Sequence, residues 1–496
     1  MLAKDLLKDI VKIRVPKQIE QLDIKAISVD SRRVQNNSLF IALKGTKCDG
    51  ADFIQEALDK GAQVIIKSEE LAYSINRNNN AGILTVEDTH KALCDILLRF
   101  YGKLSDKVKV IGITGTNGKT TVSYLIESIL KSAGLRCGVV GTINYRYGDK
   151  IFASHNTTPG IVDNQEFLSE LMREKIGYCV MEVSSHALDQ RRVGLIDFQA
   201  AIFTNLTSDH LDYHKDREDY FAAKAKLFQQ ISPKGIAVIN NDDEYSPKLQ
   251  HLIPAKIFTY GIKNKSDITV EDVTLNLTGS RFTLKSPWGT IKFNTPLIGF
   301  HNIYNILAAV TVGLFEGINA DLIKRGIEAV GCVPGRLEAI NEGQDFHVFV
   351  DYAHTEDALK NILQSIRNVC PAKIILVFGC GGDRDKSKRP KMGKTASELA
   401  DFVMLTTDNP RSEDPKTIVE QIVAGCEKNN YKVILDRKEA IEEALQIAGS
   451  GNVVVVAGKG HEDYQIFKDK TIHFDDRQVV RDFLLKRREH SPSIKH

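Results

Sequence analysis

Residues Val108 to Thr121 read Val-Lys-Val-Ile-Gly-Ile-Thr-Gly-Thr-Asn-Gly-Lys-Thr-Thr, and no other run constrains the chain as strongly. A β-branched stretch stops at a glycine-rich turn and restarts as the helical pattern Val122–Leu130. A strand, a tight turn and a helix N-terminus in that order aim backbone N–H groups at one point. The helix dipole favours negative charge at the same place. Lys119 adds a mobile cation suited to β- and γ-phosphates, and the Thr120 hydroxyl suits Mg²⁺. Ile113 stands where the commonest phosphate-loop pattern has its first glycine. What remains is a shorter loop of Gly115, Thr116, Asn117, Gly118, Lys119, Thr120 and Thr121. An ordinary glycine turn with a surface lysine would not need strand, loop, Lys-Thr and helix in this order. The run predicts a nucleoside triphosphate site.

The rest of the composition narrows the setting. A chain of 496 residues suggests about three domains at ~150 residues each. Hydrophobic content of 42% with 26% charged residues is ordinary for a globular protein. A formal charge of +2, from 66 basic and 64 acidic side chains, gives no reason to expect nucleic acid or an anionic membrane as partner. No apolar run approaches the ~20 residues a membrane span needs. The start, Met1-Leu-Ala-Lys-Asp-Leu-Leu-Lys8, puts charges where a signal peptide has its apolar stretch. Eight cysteines are scattered without a C-x-x-C pair, which fits thiols in a reducing cytoplasm better than disulfides or zinc. Lys486–His496 reads as a frayed, solvated tail.

Pattern divides the chain into residues 1–106, 107–332 and 333–496. The first segment mixes short strands with a helix over Asp52–Lys60 and a strand over Gln63–Lys67. The second alternates strand and helix through Val108–Thr114, Val122–Ala133, Tyr178–Val183, Ala200–Phe203, Phe221–Gln230 and Ala237–Asn240. That alternation predicts βαβ units and a largely parallel sheet with helices on both faces. A boundary falls near Gly331-Cys-Val-Pro-Gly-Arg336. Beyond it, Phe346–Val350, Leu359–Val369, Lys373–Phe378, Phe402–Thr406, Ile418–Gly425, Val433–Leu435 and Asn452–Ala457 predict a second, smaller doubly wound domain. The fold class is α/β in three domains.

Polar clusters follow the apolar strands of the central segment, where strand C-termini build sites in such sheets. Glu182–Leu188 follows Tyr178–Met181, and Thr204–His214 follows Ala200–Phe203. A carboxylate leaving a strand opposite a phosphate loop is a good Mg²⁺ ligand, which points to Glu182. His210 and His214 invite zinc, but no H-E-x-x-H and no cysteine cluster accompanies them. A magnesium-site histidine or a buried hydrogen-bonded one fits better. Asp212 and His214 read by themselves as loop structure.

The run Gly115–Thr121, with Asn156-Thr-Thr-Pro159, Glu182–Leu188, Asn205–His214 and Gly379-Cys-Gly-Gly-Asp-Arg-Asp385, closely resembles the Mur ligases of peptidoglycan synthesis. The likeness runs from Asp30-Ser-Arg-Arg-Val34 to Phe474-Asp-Asp-Arg477. It is nearest to the members that add the third amino acid to UDP-N-acetylmuramoyl-L-alanyl-D-glutamate at the expense of ATP. A folate-polyglutamate ligase shares the central architecture, but its first domain lacks this uridine-type motif. The resemblance implies an N-terminal uridine-nucleotide domain, a central ATPase-like domain and a C-terminal Rossmann-like domain. It further implies an acyl-phosphate intermediate, Mg²⁺, small-molecule substrates, and a cytoplasmic monomer without nucleic-acid or membrane partners.

Residue by residue, the resemblance puts the uridine nucleotide at Val29, Ser31, Thr46, Lys47 and Cys48. Asn37 replaces the family's usual glycine, and asparagine best tolerates the positive φ required there. Sugar and peptide would contact Asn156, Thr157, Thr158, Ser184, Gln190 and Arg192. Lys224, in Tyr220–Phe228, aligns with the family lysine carbamylated by CO₂, a change that replaces a cation by a group able to hold a second Mg²⁺. His210 would complete that metal site, beside Thr120 and Glu182. The rival Lys226 is expected on solvated helix surface. Asn302 and Asn305 resemble adenine-side contacts, with helix capping the plainer role for Asn302.

In the last domain, Asp408, Asn409, Pro410 and Arg411 match the signature of ligases that add meso-diaminopimelate; lysine-adding relatives lack the arginine. A guanidinium pairs bidentately with the extra carboxylate of diaminopimelate and repels the ammonium of lysine. Arg384, Gly458 and Glu462 would hold the amino acid's other charged groups. Asp351-Tyr-Ala-His354 resembles a nucleotide-contacting loop, with Glu356 where the family has proline. Two other readings remain at this level: the same ligation with L-lysine, and a non-catalytic nucleotide switch or binding module.

Overall fold

The computed structural model describes residues 1–10, 17, 19–45, 48–68, 81–207, 209 and 213–490. Thr46, Lys47, His210 and Asp212 lie outside them. The chain divides into two compact units. One comprises residues 1–110, 158–179 and 186–198, and the other comprises residues 111–157, 180–185 and 199–496.

In the first unit, Ala26–Ser28, Ser38–Ile41, Ala62–Ser68 and Gly82–Val86 form a four-stranded parallel sheet in that order. Period-two alternation sends Leu39, Ile41, Val64 and Ile66 to one face, against Leu93, Ile96 and Leu97 of the helix Thr89–Tyr101. Phe40 and Ile65 go to the other face, against Ile54 and Ala57 of the short helix Ile54–Asp59. The helix expected over Asp52–Lys60 starts as a 3₁₀ turn, Gly50–Phe53. Asn37 sits at φ 67°, the left-handed conformation that the sequence required of it.

The second unit is organised by two sheets. The larger has eight strands in the order Lys256–Tyr260, Ile231–Asn240, Phe198–Phe203, Lys109–Thr114, Tyr178–Glu182, Cys137–Val140, Asn144–Tyr147 and Lys150–Ala153. Its last two pairings are antiparallel, so the expected parallel sheet carries an antiparallel edge. The other has six strands in the order Glu338–Ala339, His347–Asp351, Val453–Ala457, Ile374–Phe378, Phe402–Leu405 and Tyr431–Val433. All its pairings are parallel except Glu338–Ala339 with His347–Asp351. A three-stranded antiparallel meander, Thr269–Asn276, Gly279–Ser286 and Gly289–Thr295, was not anticipated.

Three readings need correction. The helix after the phosphate loop starts at Lys119, three residues before the apolar pattern begins, because Gly118 turns the chain at φ 90°. The helix expected over Phe221–Gln230 is Arg217–Ala225 followed by a 3₁₀ turn, Lys226–Gln230, which leaves Lys226 half-buried rather than on an open helix surface. Lys486–His490, read as frayed tail, belongs to the helix Asp476–His490, whose Val480 and Leu484 pack into the core.

Candidate active site

The strand Lys109–Thr114 ends in the interior of the larger sheet. Val183 N–H donates to Ile113 O at 2.8 Å and Thr204 N–H to Thr114 O at 3.0 Å, so the loops after three strands leave from one edge. Gly115 (φ 145°) and Gly118 (φ 90°) have no room for a side chain. A Cβ on the first would overlap Thr204 Oγ1, and on the second Asn305 Oδ1. The loop is held by Asn205, whose carbonyl accepts from Thr116 N–H at 2.8 Å and whose side-chain oxygen accepts from Asn117 N–H at 2.9 Å. Asn302 and Asn305 are both buried. Asn302 donates to Ile298 O at 2.9 Å and accepts from Asn305 at 3.2 Å, so Asn302 does not cap its helix.

Lys119 Nζ donates to Gly115 O and Thr116 O, each at 2.9 Å, folded back over its own loop. Thr120 Oγ1 donates to Glu182 Oε2 at 2.9 Å. Thr142 orients the same carboxylate from the other side, through its N–H at 3.0 Å and its hydroxyl at 2.9 Å. Glu182 is 1% exposed. A hydroxyl and a carboxylate are hard oxygen donors suited to Mg²⁺, which takes one or two carboxylates and completes its shell with phosphates and water. The residues present fit that ion. Among the described residues no group of three or more His, Cys, Asp or Glu gathers as a closed metal cage.

Lys224 is 2% exposed. Its Nζ donates to Gly115 O at 2.9 Å and lies 4.3 Å from the centroid of the Tyr220 ring. Burial, and then the neighbouring Lys119 ammonium, hold its amine well below the ordinary lysine range, against the pull of Asp209. Burial lowers Lys119 likewise, opposed by Glu182 and Asp209. Phosphate loop, Glu182, Asp209 and Lys224 thus form one electrostatic cluster. His214 is buried and hydrogen-bonded, with Nε2 3.0 Å from Ser185 Oγ and Nδ1 3.3 Å from Asp219 Oδ2, which is the loop role read from sequence.

The residues assigned to the uridine substrate fall in several places. In the first unit Ser31 is buried and donates to Glu56 at 2.6 Å, Val29 is half-buried, and Cys48 is exposed. There too Arg192 donates to Thr158 O at 2.8 Å and to Gln190 Oε1 at 2.6 and 3.0 Å, which gathers those three residues. In the second unit Thr157 Oγ1 lies 3.0 Å from Thr142 Oγ1, Asn156 O accepts from Tyr145, and Ser184 is half-buried just before the helix Ser185–Asp189.

The six-stranded sheet gathers the remaining residues. Its register sets Asp351 beside Ala457, and Phe378 beside Leu405, at one edge. The loops leaving that edge carry Tyr352–His354, Gly458–Glu462, Gly379–Asp385 and Thr406–Arg411. Arg411 sits at φ 52° and its Nη1 donates to Gly382 O at 2.7 Å. A Cβ on Gly381 would come within 2.9 Å of that Nη1, so the glycine gives the guanidinium its path. Asn409 donates to Glu462 Oε2 at 2.9 Å. Gly458, at φ 114°, lies where a Cβ would come within 2.6 Å of Asp408 Oδ2. Arg384 is exposed on its loop. Glu356 takes the first helical position behind the Thr355 cap, a place that suits proline and an acidic residue alike.

Sequence reasoning missed three arginines. Arg336, read only as part of a boundary, donates to Thr120 Oγ1 at 3.2 Å and lies over the Tyr352 ring at 4.5 Å. Arg437 and Asp476 are each 0% exposed and pair through two hydrogen bonds of 2.7 and 2.8 Å. The same guanidinium donates to Ala457 O at 3.0 Å, at the end of the strand Val453–Ala457. Arg389, 0% exposed, donates to both oxygens of Glu413 at 2.9 Å and to Gly381 O at 3.1 Å. No local pattern marks these residues, because each partner is distant in the chain.

Arg389 holds the Glu413 carboxyl down to about 2 from an ordinary 4.5. A carboxylate lowered in the folded state stabilises above its unfolded value and loses that contribution as pH falls through the folded one. Glu413→Gln is therefore expected to lower Tm by roughly 5 °C at neutral pH. The gap from the parent protein should close between about pH 4.5 and about pH 2. Calorimetry across that range checks it, and a gap that does not change with pH would refute it.

Comparison with known proteins extends the geometry. The profile of the Mur ligase family catalytic domain matches residues 23–101, that of the Mur ligase middle domain residues 113–313, and that of the Mur ligase glutamate ligase domain residues 335–460. A Clostridium tetani protein named UDP-N-acetylmuramoyl-L-alanyl-D-glutamate–2,6-diaminopimelate ligase is 43% identical over 466 residues, covering 94% of this chain and 95% of its own. A Solibacter usitatus protein of the same name is 44% identical over 471 residues, 94% of each chain. A solved structure of a ligase of that name superposes with a TM-score of 0.68 at 32% identity, over 98% of this chain and 99% of the other. A folylpolyglutamate synthase of Mycobacterium tuberculosis shares the fold over 78% of this chain and 93% of its own, with a TM-score of 0.60 at 18% identity.

Proposed function

This chain belongs to the Mur ligase family, and from that premise we propose that it joins meso-diaminopimelate to UDP-N-acetylmuramoyl-L-alanyl-D-glutamate. The bond formed is an amide to the D-glutamate γ-carboxyl, and ATP becomes ADP and phosphate, a step of peptidoglycan synthesis. The observation that carries the choice of amino acid is Arg411, aimed past Gly381 from the strand-end loop that also holds Asn409 against Glu462.

The γ-carboxylate attacks the γ-phosphorus of ATP, the bond to the β–γ bridging oxygen breaks, and ADP leaves. Loop N–H groups, Lys119 and Arg336 spread the charge that develops on the transferring phosphoryl group. The neutral amine of diaminopimelate then attacks the acyl phosphate carbon. The tetrahedral intermediate loses phosphate and the nitrogen loses a proton. Both steps bring anions together, so positioning and charge neutralisation carry most of the work. Thr120, Glu182, His210 and a carbamate on Lys224 would hold Mg²⁺, which supplies positive charge to the phosphate oxygens when bound. The buried Lys224 amine supports the carbamate, since attack on CO₂ requires a neutral nitrogen, which loses a proton as the N–C bond forms.

Val29, Ser31, Thr46, Lys47 and Cys48 would take the uridine nucleotide, and Asn156, Thr157, Thr158, Ser184, Gln190 and Arg192 its sugar and peptide. Asn302 and Asn305 would take the adenine side of ATP. Arg384, Asp408–Arg411, Gly458 and Glu462 would take diaminopimelate. We assign the working domains to residues 1–106, 107–332 and 333–496, and the reaction to a monomer in the cytoplasm. Among the described residues no helix is long and apolar enough to cross a membrane.

Phosphate release with the dipeptide nucleotide and a panel of diamino acids tests the reading, with meso-diaminopimelate expected to be used far better than L-lysine. Equal use of the two would overturn the choice of amino acid. Arg411→Ala is expected to cost about 2–5 kcal/mol of binding. It should raise the KM for meso-diaminopimelate much more than the KM for ATP, which steady-state kinetics will show.

A further inference from the structure

Lys459 is a fully buried cation in the candidate amino-acid site, and neither the phosphate chemistry nor the assignments above use it. Its side chain is 0% exposed, directly after Gly458 at the end of the strand Val453–Ala457. A buried ammonium is costly unless paired and hydrogen-bonded. Its partners are Glu462 Oε2 at 3.3 Å and Asn409 Oδ1 at 3.3 Å, with the Tyr464 ring centroid 5.4 Å away. Asn409 Nδ2 reaches the same Glu462 Oε2 at 2.9 Å, and Ile466 N–H fixes the Asn409 amide by donating to its oxygen at 3.0 Å. Two donors therefore converge on one oxygen of Glu462. The other oxygen, Oε1, accepts no hydrogen bond among the described residues.

This arrangement solves a problem that the site otherwise has. Glu462 is largely buried, and burial disfavours its charged form, as does the neighbouring Asp408 carboxylate. Lys459 and the Asn409 amide act in the opposite direction. The phenols of Tyr352 and Tyr464 and the guanidinium of Arg437 also feel Glu462. Of the cations near the carboxylate among the described residues, only the Lys459 ammonium touches Oε2, the oxygen turned away from Oε1.

We propose that Lys459 is a positioning residue for the amino-acid substrate: its buried ammonium, with the Asn409 amide, holds Glu462 by Oε2 so that Oε1 is left to meet the substrate's distal ammonium. The inference rests on the ligase reading given above and adds to it a residue that acts through Glu462 rather than on the substrate.

The test compares the unmutated enzyme with Lys459→Met and Lys459→Arg, by phosphate release, from about pH 6 to about pH 9. At neutral pH Lys459→Met is expected to raise the KM for meso-diaminopimelate by about tenfold or more. The KM for ATP should stay within about twofold, because the ATP loop is untouched. Without the ammonium the Glu462 carboxyl titrates at higher pH. The KM defect should therefore shrink as pH rises, a trend that simple misfolding would not produce. Lys459→Arg keeps the charge and should restore most of the affinity. If Lys459→Met does not fold, Lys459→Gln gives the same reading with a neutral donor. A KM for diaminopimelate that does not change, or a defect equal at every pH and not rescued by arginine, would overturn the proposal. Failure of the unmutated enzyme to use meso-diaminopimelate would instead overturn the ligase reading, and is read separately in the parent protein.

Discussion

Lys119→Ala is expected to abolish phosphate release, by about 10³-fold or more, while the circular dichroism spectrum stays that of the parent. The ammonium lies 2.9 Å from two carbonyls of its own loop, Gly115 O and Thr116 O. On the proposed assignment, it would exchange these carbonyls for the β- and γ-oxygens when ATP binds. Gly115 and Gly118 keep their backbone shape without it, because Asn205, Thr204 and Asn305 enforce that shape from outside the loop. The variant should therefore be folded and inactive. A soluble, folded Lys119→Ala protein with normal turnover would remove the phosphate assignment.

Lys224→Ala carries the second large effect. If Lys224 bears a carbamate, alanine leaves the second metal without that ligand, and activity should fall by about 10³-fold. Alanine favours the helix Arg217–Ala225, so a loss of helix is not the cause. A short carboxylic acid such as acetate or formate is expected to enter the vacated space and restore part of the rate. Lys226→Ala, two residues on and half-buried on the 3₁₀ turn, should stay near normal. Phosphate release for both variants, with and without added acid, checks the pair. An active Lys224→Ala enzyme or a dead Lys226→Ala one would show that the wrong lysine was chosen.

Much of the phosphate loop was legible because local chemistry dictates it. A β-branched run, two glycines forced to positive φ and a Lys-Thr pair need no distant partner to be recognised. Thr120 and Glu182, 62 residues apart, were linked in advance only because strand ends in parallel sheets gather at one edge. The meander at Thr269–Thr295 escaped notice because Thr269–Asn276 alternates half-buried with exposed side chains and offers only a weak apolar stripe. The helix Lys388–Leu399 was missed for a related reason. Its first turn is charged, and nothing near Arg389 in sequence says that its guanidinium is buried against Glu413. Lys459 and Arg437 share this opacity. A charged residue reads as surface until its counter-charge is placed, and that placement is a property of the whole sheet.

The pair of Arg437 and Asp476 ties the competence of the enzyme to the order in which it is made. Asp476 comes after every other residue assigned to the site, on the helix Asp476–His490. Domains fold from the N-terminal side as a chain emerges from the ribosome. Until that helix arrives, the Arg437 guanidinium, which donates to Ala457 O, lacks the carboxylate that pairs with it through two hydrogen bonds and has only the charges of Asp408 and Glu462 nearby. On the proposed assignments, an unfinished chain would carry its phosphate loop before the ion pair beneath its amino-acid site could form.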